Sequence, residues 1–158
     1  MRKALVPIAM ALLALVGCIP EGVVRGAALM PAAGPMFDAH AGELRVVFSH
    51  ASTGRGTLSV TMPDRENVSG QYRTLDRFSM DAAEGSGDPG RGQVVITPAE
   101  WKALYGQSDM VSGQINGEAL CRGDRGTVLR VQYVVDPFDN TGFGVAKDNR
   151  GNLYRLRF

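Results

Sequence analysis

Few side chains in this sequence are of a type and spacing that could do chemistry. Cys18 stands at the end of Leu15-Val16-Gly17-Cys18. A thiolate there can take up an alkyl group, and the small Gly17 leaves the Gly17–Cys18 peptide bond open to a peptidase, whose cut frees the Cys18 amine for acylation. Cys121 is the other thiol. With the Cys18 sulfur alkylated, Cys121 is left as a single thiol and cannot close an internal disulfide, so the fold must be held by its core. Two roles are open to Cys121, a reactive or partner-linked thiol and a buried inert one. His40 and His50 are the only histidines, and no His/Cys/carboxylate grouping has zinc spacing. No serine sits in a nucleophile-elbow context, and Asp136-Pro-Phe-Asp139-Asn140 reads as a turn rather than a calcium loop. Catalytic, cofactor-binding and metal-binding residues are therefore expected to be absent, which points away from an enzyme. Arg130, Arg155 and Arg157 remain as a basic stripe able to bind an anionic polymer, or simply a solvated sheet face. Arg122-Gly123-Asp124 spells an integrin-type tripeptide at an expected hairpin tip, where all three residues also suit the turn.

The context of Cys18 fixes how its chemistry is read. Arg2 and Lys3 form a positive start, and the apolar run Ala4–Val16 has the length of a signal-peptide core, too short to span a bilayer. The segment resembles the lipobox of bacterial lipoproteins. That resemblance implies cleavage of residues 1–17, covalent lipid on Cys18, and a membrane anchor as the first partner. Ile19 stands where an Asp would retain an enterobacterial-type lipoprotein at the inner membrane. The expected location is therefore the outer membrane, with the domain facing the periplasm.

The chain has 158 residues, enough for one domain, with 17 basic and 16 acidic side chains. Cleavage after Gly17 removes Arg2 and Lys3, and this balance calls for no nucleic-acid partner. The 20 glycines favour turns and hairpins over long helices.

Residues 18–42 carry Ala, Gly, Pro20, Pro31 and Pro35 without a sustained period, and read as the lipidated cysteine followed by a flexible tether. The globular domain is expected over 43–158. Leu44–Phe48 reads as its first strand. Gly54 to Leu75 reads as a hairpin turning at Pro63-Asp64, and Val94–Ile96 as a short strand. Asp76 to Gly92 is polar and glycine-rich, a loop. Thr97-Pro98-Ala99-Glu100 has the cap, the N1 proline and the capping-box glutamate of a helix over about 98–105, stopping near Gly106. Trp101 on that helix is either a packing residue against a sheet or a binding residue.

An internal repeat occupies the carboxyl-terminal part: residues 117–133 align without gaps to 142–158. Each unit reads as strand, turn, strand, with Asp124-Arg125-Gly126 and Asn149-Arg150-Gly151 as three-residue loops ending on a left-handed glycine. The register so fixed sets small against large on one face: Gly117 against Tyr133, Ala119 against Val131, Cys121 against Leu129, Gly142 against Phe158, Gly144 against Leu156 and Ala146 against Tyr154. That face should be the core, because the other carries Arg130, Gln132, Arg155 and Arg157. Cys121 then acts as a small hydrophobe. The fold class expected is mainly β, with antiparallel sheets forming a small sandwich or open barrel and one short helix.

Gly54-Arg-Gly56, Met62-Pro-Asp64 and Gly70-Gln-Tyr72 resemble a glycine-punctuated hairpin in small proteobacterial lipoproteins of unknown function. The ending Gly142-x-Gly144, then Gly151-x-x-Tyr154-x-Leu156-x-Phe158, is similar to the carboxyl terminus of the same group, and more loosely to MORN hairpin repeats. The matches cover about half of the mature chain. Relatives are expected to carry two cysteines at positions matching Val131 and Ala146, so the disulfide they imply is missing here. The resemblance implies a β fold and an envelope location, and no assigned activity. Two functional readings follow. One is a non-enzymatic scaffold or binding module that docks an envelope protein or cell-wall component. The other is a periplasmic inhibitor that plugs a lytic enzyme with a loop from 76–92 or 134–141.

Overall fold

Eight antiparallel strands follow one another around a closed barrel, each hydrogen-bonded to its neighbours in the sequence, with the last pairing the first. The computed structural model describes residues 24–51, 55–74, 94–106, 117–135 and 141–158. The strands are β1 (Val24–Ala33), β2 (Leu44–Ala51), β3 (Arg55–Thr61), β4 (Asn67–Thr74), β5 (Gly117–Gly123), β6 (Val128–Val135), β7 (Gly142–Asp148) and β8 (Leu153–Arg157). Among the described residues two helices accompany them, α1 (Pro35–Asp38) and α2 (Pro98–Tyr105). Closure leaves no sheet edge unpaired, so the barrel goes further than the expected sandwich or open barrel.

The amino-terminal expectation needs the larger correction. Residues 24–33 of the expected tether form β1, which makes Leu44–Phe48 part of the second strand rather than the first. The reason is tertiary. β1 pairs β2 from Val24 to Leu29 and β8 from Ala28 to Ala33, so its two halves are held by different neighbours. Pro31 lies beyond the β2 pairing, opposite Tyr154 and beside a register shift on the β8 side, a place in a sheet where proline is tolerated. Five of its ten residues are Gly or Ala, which hid the strand from the sequence, and Leu29 is its one large buried side chain among those whose burial is described.

Val94–Ile96 is a second correction. These residues join no ladder, because every barrel edge is already taken. Val94 and Ile96 are nonetheless buried, and Ile96 packs with Trp101 and Leu104 of α2 against Val145 and Leu153 on the outside of the barrel. α2 is built as its sequence demands. Thr97 accepts from the Glu100 N–H, Glu100 accepts from the Thr97 N–H at 2.7 Å, and Gly106 ends the helix at φ 75°. Trp101 is the packing residue, 1 % exposed, its indole N–H donating to Gln132 at 3.0 Å.

The interior is filled by the small–large pairs that the repeat register requires. Ala119 faces Val131, Cys121 faces Leu129, Gly144 faces Leu156 and Ala146 faces Tyr154. Phe48, Tyr72, Tyr133 and Phe158 cluster with ring centroids 5.0–6.4 Å apart, edge to face except for the tilted Phe48–Phe158 pair. Glycine makes the room. A Cβ on Gly117 would stand 2.0 Å from the Tyr133 ring, and one on Gly56 would stand 2.6 Å from that of Tyr72.

One end of the barrel carries three tight turns of one design. Met62, Gly123 and Asp148 each donate an N–H to the carbonyl four residues on, and each carbonyl accepts from the residue three on. Gly126 and Gly151 hold the left-handed position at φ 91° and 87°, and Arg65 takes it in the β3–β4 turn at φ 65°. Asp148 Oδ1 accepts from the N–H groups of Arg150 and Asn152, both at 2.9 Å. The repeat-equivalent of Asp148 is Gly123, which has no carboxylate. Glu66 from the β3–β4 hairpin supplies one instead: its Oε1 accepts from the N–H groups of Arg125 and Thr127, also at 2.9 Å. A Cβ on Gly123 would lie 2.0 Å from that oxygen. The same clamp is therefore made in cis in one hairpin and by a neighbour in the other.

A double-mutant cycle tests this substitution of one carboxylate for another. Glu66→Ala should cost about 3 kcal/mol in denaturant unfolding, since it strands buried backbone donors. Gly123→Asp alone should destabilise by crowding two carboxylates. The double variant should be more stable than the sum of the two by at least about 1 kcal/mol. Additive losses would mean that the two carboxylates do not replace one another.

Candidate binding face and the buried acids

The three stripe arginines do not form one stripe. Arg130 on β6 is tied to Glu118 on β5 at 3.3 Å, and Glu118 also holds Arg73 of β4 through both its Nε and Nη2. Arg155 and Arg157 lie on β8, cross-strand from Val145 and Phe143 of β7. α2 packs over Val145 and reaches Gln132 on β6, so it stands between Arg130 and the β8 pair. Arg130 is consequently a partner of Glu118 and not part of a continuous basic surface.

Arg155 and Arg157 instead frame an aromatic shelf. Tyr105, at the end of α2, donates its hydroxyl to the Gly144 carbonyl at 2.8 Å. Its ring lies 5.7 Å from that of Trp101 and 5.0 Å from that of Phe143, which is 37 % exposed. The Arg155 guanidinium carbon sits 6.0 Å from the Tyr105 ring centroid. Burial pushes the Tyr105 phenol up from its ordinary value, while the charges of Arg155 and Arg157 act against that rise. The Arg155 Nε is buried and has no hydrogen-bond acceptor among the described residues. Two guanidinium groups beside a half-exposed ring suit a carboxylate or phosphate on a partner that also has apolar surface.

The other polar concentration is structural. Glu66 is fully buried, and Arg150 reaches it at 2.7 Å and Asp64 at 3.2 Å. Arg125 Nη1 donates to the Asp64 carbonyl at 2.8 Å. Asp148 accepts from the Tyr154 hydroxyl at 2.7 Å and from Asn152 Nδ2 at 2.8 Å, and Asn152 Oδ1 accepts from the Met36 N–H of α1. These bonds lace the three turns and α1 into one capped end. Every acid here is engaged by neighbours, which fits a fastening rather than a general acid or base.

Other sequence candidates fall as follows. Among the described residues, no group of three His, Cys, Asp or Glu could hold a metal ion. His40 is exposed, with Nδ1 3.0 Å from the Asp38 carbonyl. In Arg122-Gly123-Asp124, Arg122 and Asp124 are exposed while Gly123 lies against Glu66. Cys121 is fully buried, as the repeat register requires, and burial pushes its thiol up to about 12. Cys18, the loop at 76–92 and the turn at 136–140 lie outside the described residues. Glu118, Tyr105 and Phe143 were not singled out from sequence. Glu118 could have been, since the repeat register places it diagonal to Arg130. Arg73 could not, because the β4–β5 pairing joins residues 45 positions apart.

Two measurements check these assignments. Burial alone would raise the Glu66 carboxyl, but hydrogen bonds from the Thr127 hydroxyl and N–H and the Arg125 N–H, with the Arg150 charge, lower it. A carboxyl lowered in the folded state contributes stability above the ordinary carboxylate range and loses it as pH falls through the lowered value. Unfolding free energy should therefore drop on acidification below about pH 4.5, and Glu66→Gln should flatten that drop. In the second measurement, iodoacetamide at neutral pH should leave Cys121 unmodified in the folded protein and alkylate it in denaturant. Rapid labelling without denaturant would contradict its burial.

Proposed function

We infer the function from the chain itself, which matches no known protein family, curated protein or solved structure. We propose that it is a lipoprotein of the bacterial outer membrane, anchored through Cys18 and facing the periplasm. Its barrel serves there as a non-enzymatic binding module for an anionic envelope polymer. The anchor reading rests on the order of charge, apolar run and small residue before Cys18. The binding reading rests on one observation: Arg155 and Arg157 flank a half-exposed aromatic shelf, with the buried Arg155 Nε lacking an acceptor among the described residues. Guanidinium groups so placed gain most from a bidentate anion, and the ring adds contact area at small entropic cost.

The two parts have separate tests. Intact mass and membrane fractionation of protein made in a Gram-negative host should give an acylated species in the outer-membrane fraction, lost in Cys18→Ala. A soluble, unacylated wild type would sink the anchor. Co-sedimentation with isolated cell-wall sacculi should hold the wild-type protein at low salt and release it as salt rises. Arg155→Ala with Arg157→Ala should weaken this binding roughly tenfold or more, the worth of one charged hydrogen bond. An unchanged double variant would remove the shelf as the binding face.

A further inference from the structure

The strand order gives the barrel two unlike ends. At one, β1 runs into α1 and the three tight turns close β3–β4, β5–β6 and β7–β8. At the other, β1 begins at Val24, β8 finishes at Arg157, and the longer connections leave β4 and β6. The residue proposed to carry lipid, Cys18, precedes Val24 by only residues 19–23. Even fully extended, that stretch reaches roughly 20 Å. A strand of eight residues, such as β2, is itself about 26 Å long.

The tether is therefore shorter than the barrel. We propose, resting on the Cys18 anchor, that the end where β1 begins is seated on the lipid headgroups, with the barrel upright and the tight-turn end directed away from the bilayer. The side chains at this end suit the seat. Arg25 lies over the Phe158 ring at 4.7 Å, half-buried. Arg55 and Arg73 are exposed and directly cross-strand; Glu118 bonds Arg73, and Arg55 is the charge of this pair placed to meet lipid phosphates. Glu118 is the one acid bonded to this group among the described residues, and Arg130 shares it. Upright seating places Phe143 and Arg157, at the seated ends of β7 and β8, nearest the lipid, with Arg155 farther up the wall. In the sequence, the connections leaving the seated end carry Asp76, Asp81, Glu84, Asp88, Asp109, Asp136 and Asp139. Distance from the lipid, rather than preference for anionic lipid, is therefore the property to measure.

The test uses acylated full-length mature protein in vesicles of phosphatidylethanolamine and phosphatidylglycerol, with an energy-transfer acceptor on the lipid headgroups. A donor is placed at Thr57→Cys near the seated end or at Asp124→Cys on a tight turn, both exposed positions. Cys121 is buried and stays unlabelled. Transfer should be strong from position 57 and weak from 124, and a flexible insert of about 20 Gly/Ser residues before Val24 should reduce it at 57. Equal transfer from both positions, as for a barrel lying on its side, overturns the upright seat. So does stronger transfer from 124, or an insert without effect at 57. Intact mass of the same samples separates the two readings. An acylated protein without the asymmetry defeats the seat alone, whereas an unacylated protein defeats the anchor and the seat together.

Discussion

Closure of the barrel is the constraint on which the other features depend. A sheet of eight strands has two edges whose N–H and C=O groups need partners, and here β1 and β8 satisfy one another. Closing the sheet fixes the interior volume, so each inward position must match the side chain across from it. Glycines at 56 and 117 admit Tyr72 and Tyr133, and the aromatic cluster fills one end as a packed core. Closure also leaves Val94–Ile96 without a ladder to join. That segment can bury its side chains only from outside, and α2 does so with it on the β7–β8 wall.

The tight-turn end is held by carboxylates rather than by apolar burial. Asp148 serves its own hairpin, while Glu66 reaches across to serve its neighbour, where Gly123 leaves the space. Buried acids are costly unless every lone pair is met, and here backbone donors, Thr127, Asn152, Tyr154 and Arg150 meet them. The fastening joins residues far apart in the sequence, and α1 is drawn into it through Met36 and Asn152. Such a network explains a cluster of polar side chains without assigning it a reaction.

Function, by contrast, is argued from the barrel's outer wall. Arg130 is neutralised locally by Glu118, which removes it from the candidate surface despite its place in the repeat. Arg155 and Arg157 owe their setting to α2, whose Tyr105 and Trp101 reach the wall from a segment outside the repeat. The helix thus divides the basic residues of the wall into a paired set and an available set.

The sequence by itself determined what local physics determines. A capping box and a left-handed glycine set the bounds of α2, and three-residue loops with glycine set the hairpin registers at 117–133 and 142–158. From those registers the period-2 pattern assigned Cys121 to the core and Arg155 and Arg157 to the outside, because a strand has only two faces. Tertiary structure decided the rest. β1 carries no local signal of its own, since Gly26, Ala27, Ala28, Ala32 and Ala33 stand among Arg25, Met30 and Pro31 without a period of two, and its hydrogen bonds go to strands on either side of it in the barrel. Closure, the Glu66 clamp and the grouping of Arg155 with Tyr105 likewise depend on contacts between residues 50 or more positions apart. No local propensity encodes such contacts; they exist only once the chain has closed on itself.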